Sequence, residues 1–133
     1  MSVFVDTSAL YAYLDSSDAN NAAAVRSMHS VLGREDLVAH NYIVVETVAL
    51  VHRRLPPSAS RLLASDLLPL IEIRWIEAEV HAAAMSAFLS AVRRRTSLVD
   101  WVSFEIMRRD GIRRAFAFDR DFASEGFELI SGA

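Results

Sequence analysis

Apolar positions along the chain follow two rhythms, unbroken short runs and helical stripes, and these alternate from one end to the other. Val3-Phe4-Val5 is β-branched and aromatic with no polar alternation, as in a strand covered on both faces, and it stops at Asp6. Ser8–Leu14 then reads as a short helix. Asp18 opens a second, with Ala22, Val25, Met28, His29 and Leu32 on one stripe and Gly33 at its end. Leu37–Ala39 is a brief strand. Asn41 stands at the N-cap position of a helix over Tyr42–Arg54, closed by Pro56-Pro57. Ser58–Leu68 predicts another helix, stopped by Pro69, and Ile71–Trp75 alternates apolar and polar like a strand near a sheet edge. From Glu77 an Ala-rich stripe of Val80, Ala83, Ala84, Ala87, Phe88 and Ala91 predicts a long helix running to Arg93-Arg94-Arg95, with acids in front and arginines behind to suit its dipole. Ser97 opens a helix striped by Val99 or Val102, Ile106 and Met107 that Gly111 ends, and Ala115–Phe118 and Phe127–Ile130 are the last strands.

Strands alternating with helices call for an α/β fold: a parallel sheet, right-handed crossovers and helices on both faces. No repeat, linker or low-complexity tract divides the chain, so residues 1–133 are read as one domain. At 133 residues and 53% hydrophobic content, one core can bury about two-thirds of the unfolded surface. The chain has no cysteine, which excludes disulfides, thiolate zinc sites and thiol nucleophiles. The opening Met-Ser-Val-Phe-Val-Asp lacks a basic stretch and the longest apolar run, Ala9–Leu14, is short. Neither secretion nor a membrane span is expected, and the expected location is the cytoplasm.

Charge narrows the chemistry further. All 14 basic residues are arginine, so any mechanism that needs a lysine is closed. A net charge of -3 does not favour nucleic acid on average, and RNA handling would require arginines and acids to be segregated. His29, His40, His52 and His81 lack metal-ligand spacing and read as ordinary core or surface histidines. Trp75 and Trp101 lie in apolar-periodic segments and are expected in the core, base stacking being the other use open to them.

The acids are less ordinary. Asp6 stands at the carboxyl end of a central strand, where ligand crevices of open α/β sheets form, although Asp, Thr7 and Ser8 all suit a helix cap. Glu46 has only apolar neighbours three and four residues away, Tyr42, Ile43, Ala49 and Leu50, so it is expected on a buried face. A lone carboxylate there costs several kcal/mol unless it is ion-paired, with Arg53 or Arg54, or neutralised by a metal. Asp100 in Ser97-Leu98-Val99-Asp100 fits a capping box as well as a catalytic role. Asp119 and Asp121 follow a buried strand as Asp6 does, and either could cap the turn beyond it. Two strand-end acids and two from helix N-terminal halves would converge on one sheet edge, and like charges gathered there raise one another's pKa unless a cation intervenes. A hard divalent ion, Mg²⁺ or Mn²⁺, suits oxygen ligands of this kind. A phosphoaspartate phosphatase or a phospho-acceptor domain would use similar acids, but each also needs a lysine.

The order Asp6-Thr7-Ser8-Ala9-Leu10, Glu46, Ser97-x-x-Asp100 and Asp119-Arg120-Asp121-Phe122, with Gly126 downstream, resembles a PIN domain of the VapC-type toxin ribonucleases over essentially the whole chain. The resemblance implies a three-layer α/β/α fold with about five parallel strands. It implies a Mg²⁺- or Mn²⁺-dependent endoribonuclease that is the toxin of a toxin–antitoxin pair, usually dimeric and held by a VapB-type antitoxin; a housekeeping ribonuclease or an inert RNA-binding scaffold are the other outcomes. Asp6, Glu46, Asp100 and Asp119 match the family's acidic quartet, with Asp121 a variable fifth, Asp6, Asp100, Asp119 and Asp121 as metal ligands, and Thr7, Ser8 and Ser97 in support. Ala117-Phe118 stands where the family often has Thr or Ser. RNA contacts would come from arginine pairs and above all from Arg93, Arg94 and Arg95, whose guanidinium forks suit phosphates.

Overall fold

Five parallel strands, ordered β3-β2-β1-β4-β5, form one sheet in the computed structural model, which describes residues 1–130; the last three positions of the 1–133 domain reading lie outside the described residues. The elements run β1 (Ser2–Val5), α1 (Thr7–Leu14), α2 (Asn21–Val31), β2 (Asp36–His40), α3 (Asn41–Arg54), α4 (Pro57–Leu62), β3 (Glu72–Arg74), α5 (Ala78–Ser90), α6 (Leu98–Asp110), β4 (Arg114–Phe116), α7 (Asp121–Ser124) and β5 (Glu128–Leu129). The unbroken apolar run at the start is the centre of the sheet, with Val3 opposite Leu37 on one side and Arg114 on the other. Val3, Phe4 and Val5 are fully buried, as an interior parallel strand requires. Strand order reverses direction at β1, so the crevice of this sheet opens between the carboxyl ends of β1 and β4.

Helices pack in two groups. α1 lies against α2 and α3, and α3 against α4, while α5 packs on α6. Behind the crevice sits an aromatic core. Phe104 of α6 meets Phe122 edge-on at 5.0 Å between centroids and stacks on Phe127 at 6.0 Å, and Phe122 lies 6.1 Å from Phe4 of the central strand. Edge-to-face pairs of this kind add about 0.5–1.5 kcal/mol beyond area burial. Among the described residues no helix is long and apolar enough to cross a membrane.

Several expected elements are displaced, each for a physical reason. α2 begins at Asn21 because the Asp18 carboxylate accepts the Asn20 N–H at 2.8 Å in a turn of its own. Its buried stripe is Ala24, Ser27, Met28 and Val31, leaving Ala22 and His29 exposed. His40, not Asn41, caps α3, since the Asn41 carboxamide oxygen is occupied by the Ile76 N–H at 2.7 Å. The Ser58–Leu68 helix starts at Pro57, suited to a first helical position, and then widens to a π turn over Leu63–Leu67 and a 3-10 turn over Leu68–Leu70, where Pro69 cannot continue α geometry. α5 stops at Ser90 with an extended Ala91, so Arg93, Arg94 and Arg95 belong to the loop into α6 and not to a last helical turn. β3 ends at Arg74, so its alternation no longer governs Trp75, which is 73% exposed instead of core; Trp101 does pack on the core, edge-on to Phe104 at 5.4 Å.

Gly111 ends α6 in the left-handed region, with φ 69°, and donates back to the carbonyls of Arg108 and Met107. Nothing stands within 4 Å of a side chain added there, so only backbone strain opposes one. Gly111→Ala is expected to lower stability by about 1–2 kcal/mol, and Gly111→Asn by less, in urea titrations; an unchanged midpoint for the alanine variant would contradict the strain.

Candidate metal and nucleic-acid site

The C-terminal edge of the sheet carries a cleft of about 480 Å³ lined by Asp6, Thr7, Ser8, Glu46, Ala49, Leu50, Arg53, Arg95, Ser97, Asp100 and Asp119. Asp6 is delivered by the end of β1, Glu46 by the second turn of α3, Asp100 by the first turn of α6, and Asp119 by the segment after β4. The Asp6 N–H still bonds the Phe116 carbonyl at 3.0 Å, and the Phe118 N–H donates to Ser8 Oγ at 2.9 Å. These two bonds lock the ends of β1 and β4 together and bring Asp119 beside Asp6.

Capping and site duty coincide here, because a carboxylate has two oxygens. Asp6 caps α1 through Oδ2 alone, which accepts the Ser8 N–H at 3.1 Å and the Ser8 hydroxyl at 2.6 Å. In the capping box of α6, Asp100 Oδ2 accepts the Ser97 N–H at 3.0 Å while Ser97 Oγ accepts the Asp100 N–H at 3.2 Å. The second oxygen of each acid takes part in neither bond. Asp119 Oδ1 accepts the Asp121 N–H at 2.9 Å, so Asp119 too shapes the turn that follows it. Thr7 and Thr47 share a hydrogen bond of 2.9 Å that fastens α1 to α3 one residue from Glu46.

Glu46 departs from expectation. The buried face of α3 is Ile43, Thr47 and Val51, whereas Glu46 and Leu50 are half-buried and Ala49 is exposed, because this flank of the helix borders the cleft. No ion pair joins Glu46 to Arg53 or Arg54 among the described residues; the Arg54 guanidinium lies over the Tyr11 ring at 5.7 Å. Asp6, Asp100 and Asp119 are likewise without an arginine partner within 4.0 Å among the described residues.

Asp121 is different. It is 2% exposed and lies outside the cleft lining, with Oδ2 accepting the Thr96 hydroxyl at 2.7 Å and Oδ1 facing Arg93 at 3.9 Å and Arg95 at 3.8 Å. One oxygen of each of Asp100, Asp119 and Asp121 nevertheless falls within a 4.8 Å group. Arg93 is committed to structure: it pairs with Glu125 and stacks over Trp101 at 5.6 Å. Arg95 is 81% exposed at the side-chain level and, with Arg53, borders the cleft. Three further arginines are spent on ion pairs, Arg108 with Glu125, Arg109 with Glu105 and Glu79, and Arg114 with Glu35 and Glu128. Thr47 and Thr96 escaped sequence reasoning, since a lone threonine in a helix or loop has no pattern that marks it.

Burial dominates the electrostatics. It lifts the Asp6 carboxyl from 3.8 to about 6, with Glu46 and Asp119 adding repulsion against the two Ser8 bonds. Burial and then the Asp6 charge lift Asp100 from 3.8 to about 7. Glu46 is raised as well, by burial first and then by Asp100 and Asp119, against a hydrogen bond from Thr7. Oxygen donors that repel one another and form no ion pair among the described residues fit a hard divalent ion.

These shifts have a sign. Both aspartates hold protons more tightly in the folded chain than in the unfolded one, so their contribution to stability is full below about pH 4 and is lost as pH rises to about 7. For Asp6 the rise from 3.8 to about 6 corresponds to about 3 kcal/mol. With metal chelated, Asp100→Asn, which keeps a capping oxygen, is expected to melt well above the parent at pH 7.5 and close to it at pH 4. The difference between the two proteins removes the opposing titrations of Asp15 and Glu125, whose carboxyls are lowered. A gap that does not widen with pH would refute the raised proton affinity of Asp100.

Comparison with known proteins bears on the fold and the family. The family model described as PIN domain matches residues 3–127. The 23S rRNA-specific endonuclease VapC20 of Mycobacterium tuberculosis is 32% identical over 126 residues, which cover 94% of this chain and 95% of that protein. Its crystal structure, described as that of a sarcin-ricin loop cleaving toxin, superposes with a TM-score of 0.84 at 31% identity, again over 94% of this chain and 95% of the other. FitAcB from Neisseria gonorrhoeae shares the fold at a TM-score of 0.69 and 16% identity, covering 97% of this chain and 96% of that one. An all-parallel five-stranded sheet, an acid-lined crevice at its central strand and these similarities lead to one assignment: the chain belongs to the PIN-domain family, among its VapC-type toxin ribonucleases.

Proposed function

We propose that this chain is a divalent-metal-dependent endoribonuclease, the toxin of a toxin–antitoxin pair, in which Asp6, Asp100 and Asp119 hold the metal and Glu46 completes the catalytic set. The observation that carries this reading is the convergence of four carboxylates from four separate elements on one cleft, none of them within 4.0 Å of an arginine nitrogen among the described residues. Mg²⁺ or Mn²⁺ bound there supplies Lewis acidity, acidifying water and offsetting charge that grows on a phosphodiester. The residues do the rest. Ser8 holds Asp6 by two hydrogen bonds, and the capping box holds Asp100, so neither side chain has to be ordered when substrate arrives. Glu46 is half-buried with its carboxyl raised, suited to take a proton from the attacking water at its carboxylate oxygen. Asp121, held by Thr96 through Oδ2, supports Asp119 from behind through their shared turn and keeps Oδ1, which that bond leaves, as its means of joining the metal set.

Arg53 and Arg95 stand at the cleft wall, positioned to meet phosphates on either side of the scissile bond, with Arg94 on the same exposed loop. RNA is the substrate, and a hairpin carrying the sarcin-ricin loop, on which VapC20 acts, is the first to try. The same acidic cleft would draw an Arg or Lys of a VapB-type antitoxin, blocking metal and substrate at once. A homodimer and a cytoplasmic location complete the proposal.

With Mg²⁺ or Mn²⁺ present, Asp6→Asn, Glu46→Gln and Asp100→Asn are each expected to cut hairpin cleavage by at least about 100-fold while keeping the parent's circular dichroism; undiminished cleavage by clean preparations would sink the assignment. In the Asp6→Asn background, where RNA is bound but not cut, replacing Arg53 and Arg95 with alanine is expected to flatten the salt dependence of binding. Two contacts at about 0.7 each give a change of about 1.4 in the slope of log K against log salt. A slope equal to the parent's would place both side chains off the RNA path.

A further inference from the structure

His40 is fully buried at the end of β2, and no step of the proposed chemistry uses it. Its Nδ1 accepts the Ile43 N–H at 3.3 Å, which caps α3. Its Nε2 lies 2.8 Å from Ser103 Oγ in α6, and the Ser103 hydroxyl donates to the Val99 carbonyl at 3.0 Å. Since the serine's proton is already spent, Ser103 must accept, so His40 carries its proton on Nε2 and offers Nδ1 as the acceptor the cap needs. Every polar atom of the ring is used. Burial pushes the imidazole down to about 3, so it is neutral throughout the physiological range and the polarity of the chain never inverts.

What this chain of bonds joins is significant. One end is the first turn of α3, the helix that carries Glu46; the other is one turn beyond Asp100 on α6. Glu46 and Asp100 line the same cleft. We propose that the His40–Ser103 hydrogen bond is a strut that fixes α6 against the corner between β2 and α3, making His40 a positioning residue for where α6 holds Asp100 relative to Asp6 at the end of the neighbouring strand β1, and hence for divalent-cation affinity. The proposal rests on the reading of Asp6, Asp100 and Asp119 as the metal set. A rigid aromatic ring suits a strut, having two torsions and, here, contacts with Phe4 at 5.7 Å and Tyr42 at 5.8 Å that hold its plane.

The test measures Mn²⁺ binding from the electron paramagnetic resonance signal of the free ion, without RNA. Ser103→Ala breaks the strut and leaves the cap; His40→Ser breaks it from the other end and keeps a good capping side chain. Each folded variant is expected to bind Mn²⁺ about 10- to 100-fold more weakly, the scale on which groups behind metal ligands act. The double variant is expected to lose no more than the weaker single, because both remove one bond. Tyr42→Phe, which removes the hydrogen bond to His81 at 2.6 Å from the same turn of α3, is expected to bind as the parent does. Parent-like affinity in Ser103→Ala, additive losses in the double variant, or an equal loss in Tyr42→Phe would each overturn the strut. If the parent takes up no Mn²⁺, or Asp100→Asn binds it equally, the metal site itself fails and the strut with it; should His40→Ser not fold, Ser103→Ala and Tyr42→Phe decide alone.

Discussion

Holding several carboxylates in one partly dry crevice with no arginine in ion-pair contact with them among the described residues is the constraint to which the rest of this structure answers. Asp6 and Asp100 are 4% and 8% exposed, so water screens them poorly, and each charge makes the next harder to keep. Left to themselves, the supporting elements would relax by turning side chains outward or by letting helices drift. Hydrogen bonds between elements oppose this: Ser8 to Asp6 and on to the Phe118 N–H, Thr7 to Thr47, Ser97 to Asp100, and Thr96 to Asp121. The sheet and aromatic core supply the rigidity on which those small bonds act.

The economy of the arrangement lies in double use. Each aspartate that faces the cleft also terminates or begins a piece of regular structure, so one oxygen stabilises the fold while the other is left to the site. A helix N-terminus tolerates an anion through its dipole, which lessens the cost of placing Asp6 and Asp100 where they stand. Glu46 has no such help. It comes from the second turn of α3, and its place depends on how that helix is anchored to α1 by Thr47 and to α6 by His40. Of the quartet it is therefore the acid whose position is least local in origin.

Basic charge is divided in the same spirit. Arg93, Arg108, Arg109 and Arg114 are tied into ion pairs that hold loops and helices together, and Arg93 also covers the Trp101 ring. Arg53 and Arg95 remain at the cleft. A mildly acidic chain can thus present cations next to an acidic pocket, which is the segregation that an RNA-handling protein of this charge requires.

Local chemistry made part of this protein readable without coordinates. Val3-Phe4-Val5 had to be an interior strand because nothing in it tolerates water, Ser97-x-x-Asp100 had to open a helix, and Gly111 had to close one, since each depends on residues within a few positions. Glu46 was legible as an anomaly for the same reason, whereas Asp6, Asp100 and Asp119 each also fit a local cap and stood out only as a set. Contacts between residues far apart in sequence were not legible. That Arg93–Arg95 form a loop reflects the pull of Glu125 and Asp121 on Arg93, 32 and 28 positions away. His40 displaced Asn41 as a cap because Ile76 claimed the asparagine, and Ser103 gave the imidazole a second partner. Trp75 lies outside the core because a three-residue edge strand ended before it. Periodicity and capping are decided by neighbours along the chain, whereas ion pairs, buried tautomers and strand ends are decided by whichever distant groups the fold brings within about 3 to 4 Å.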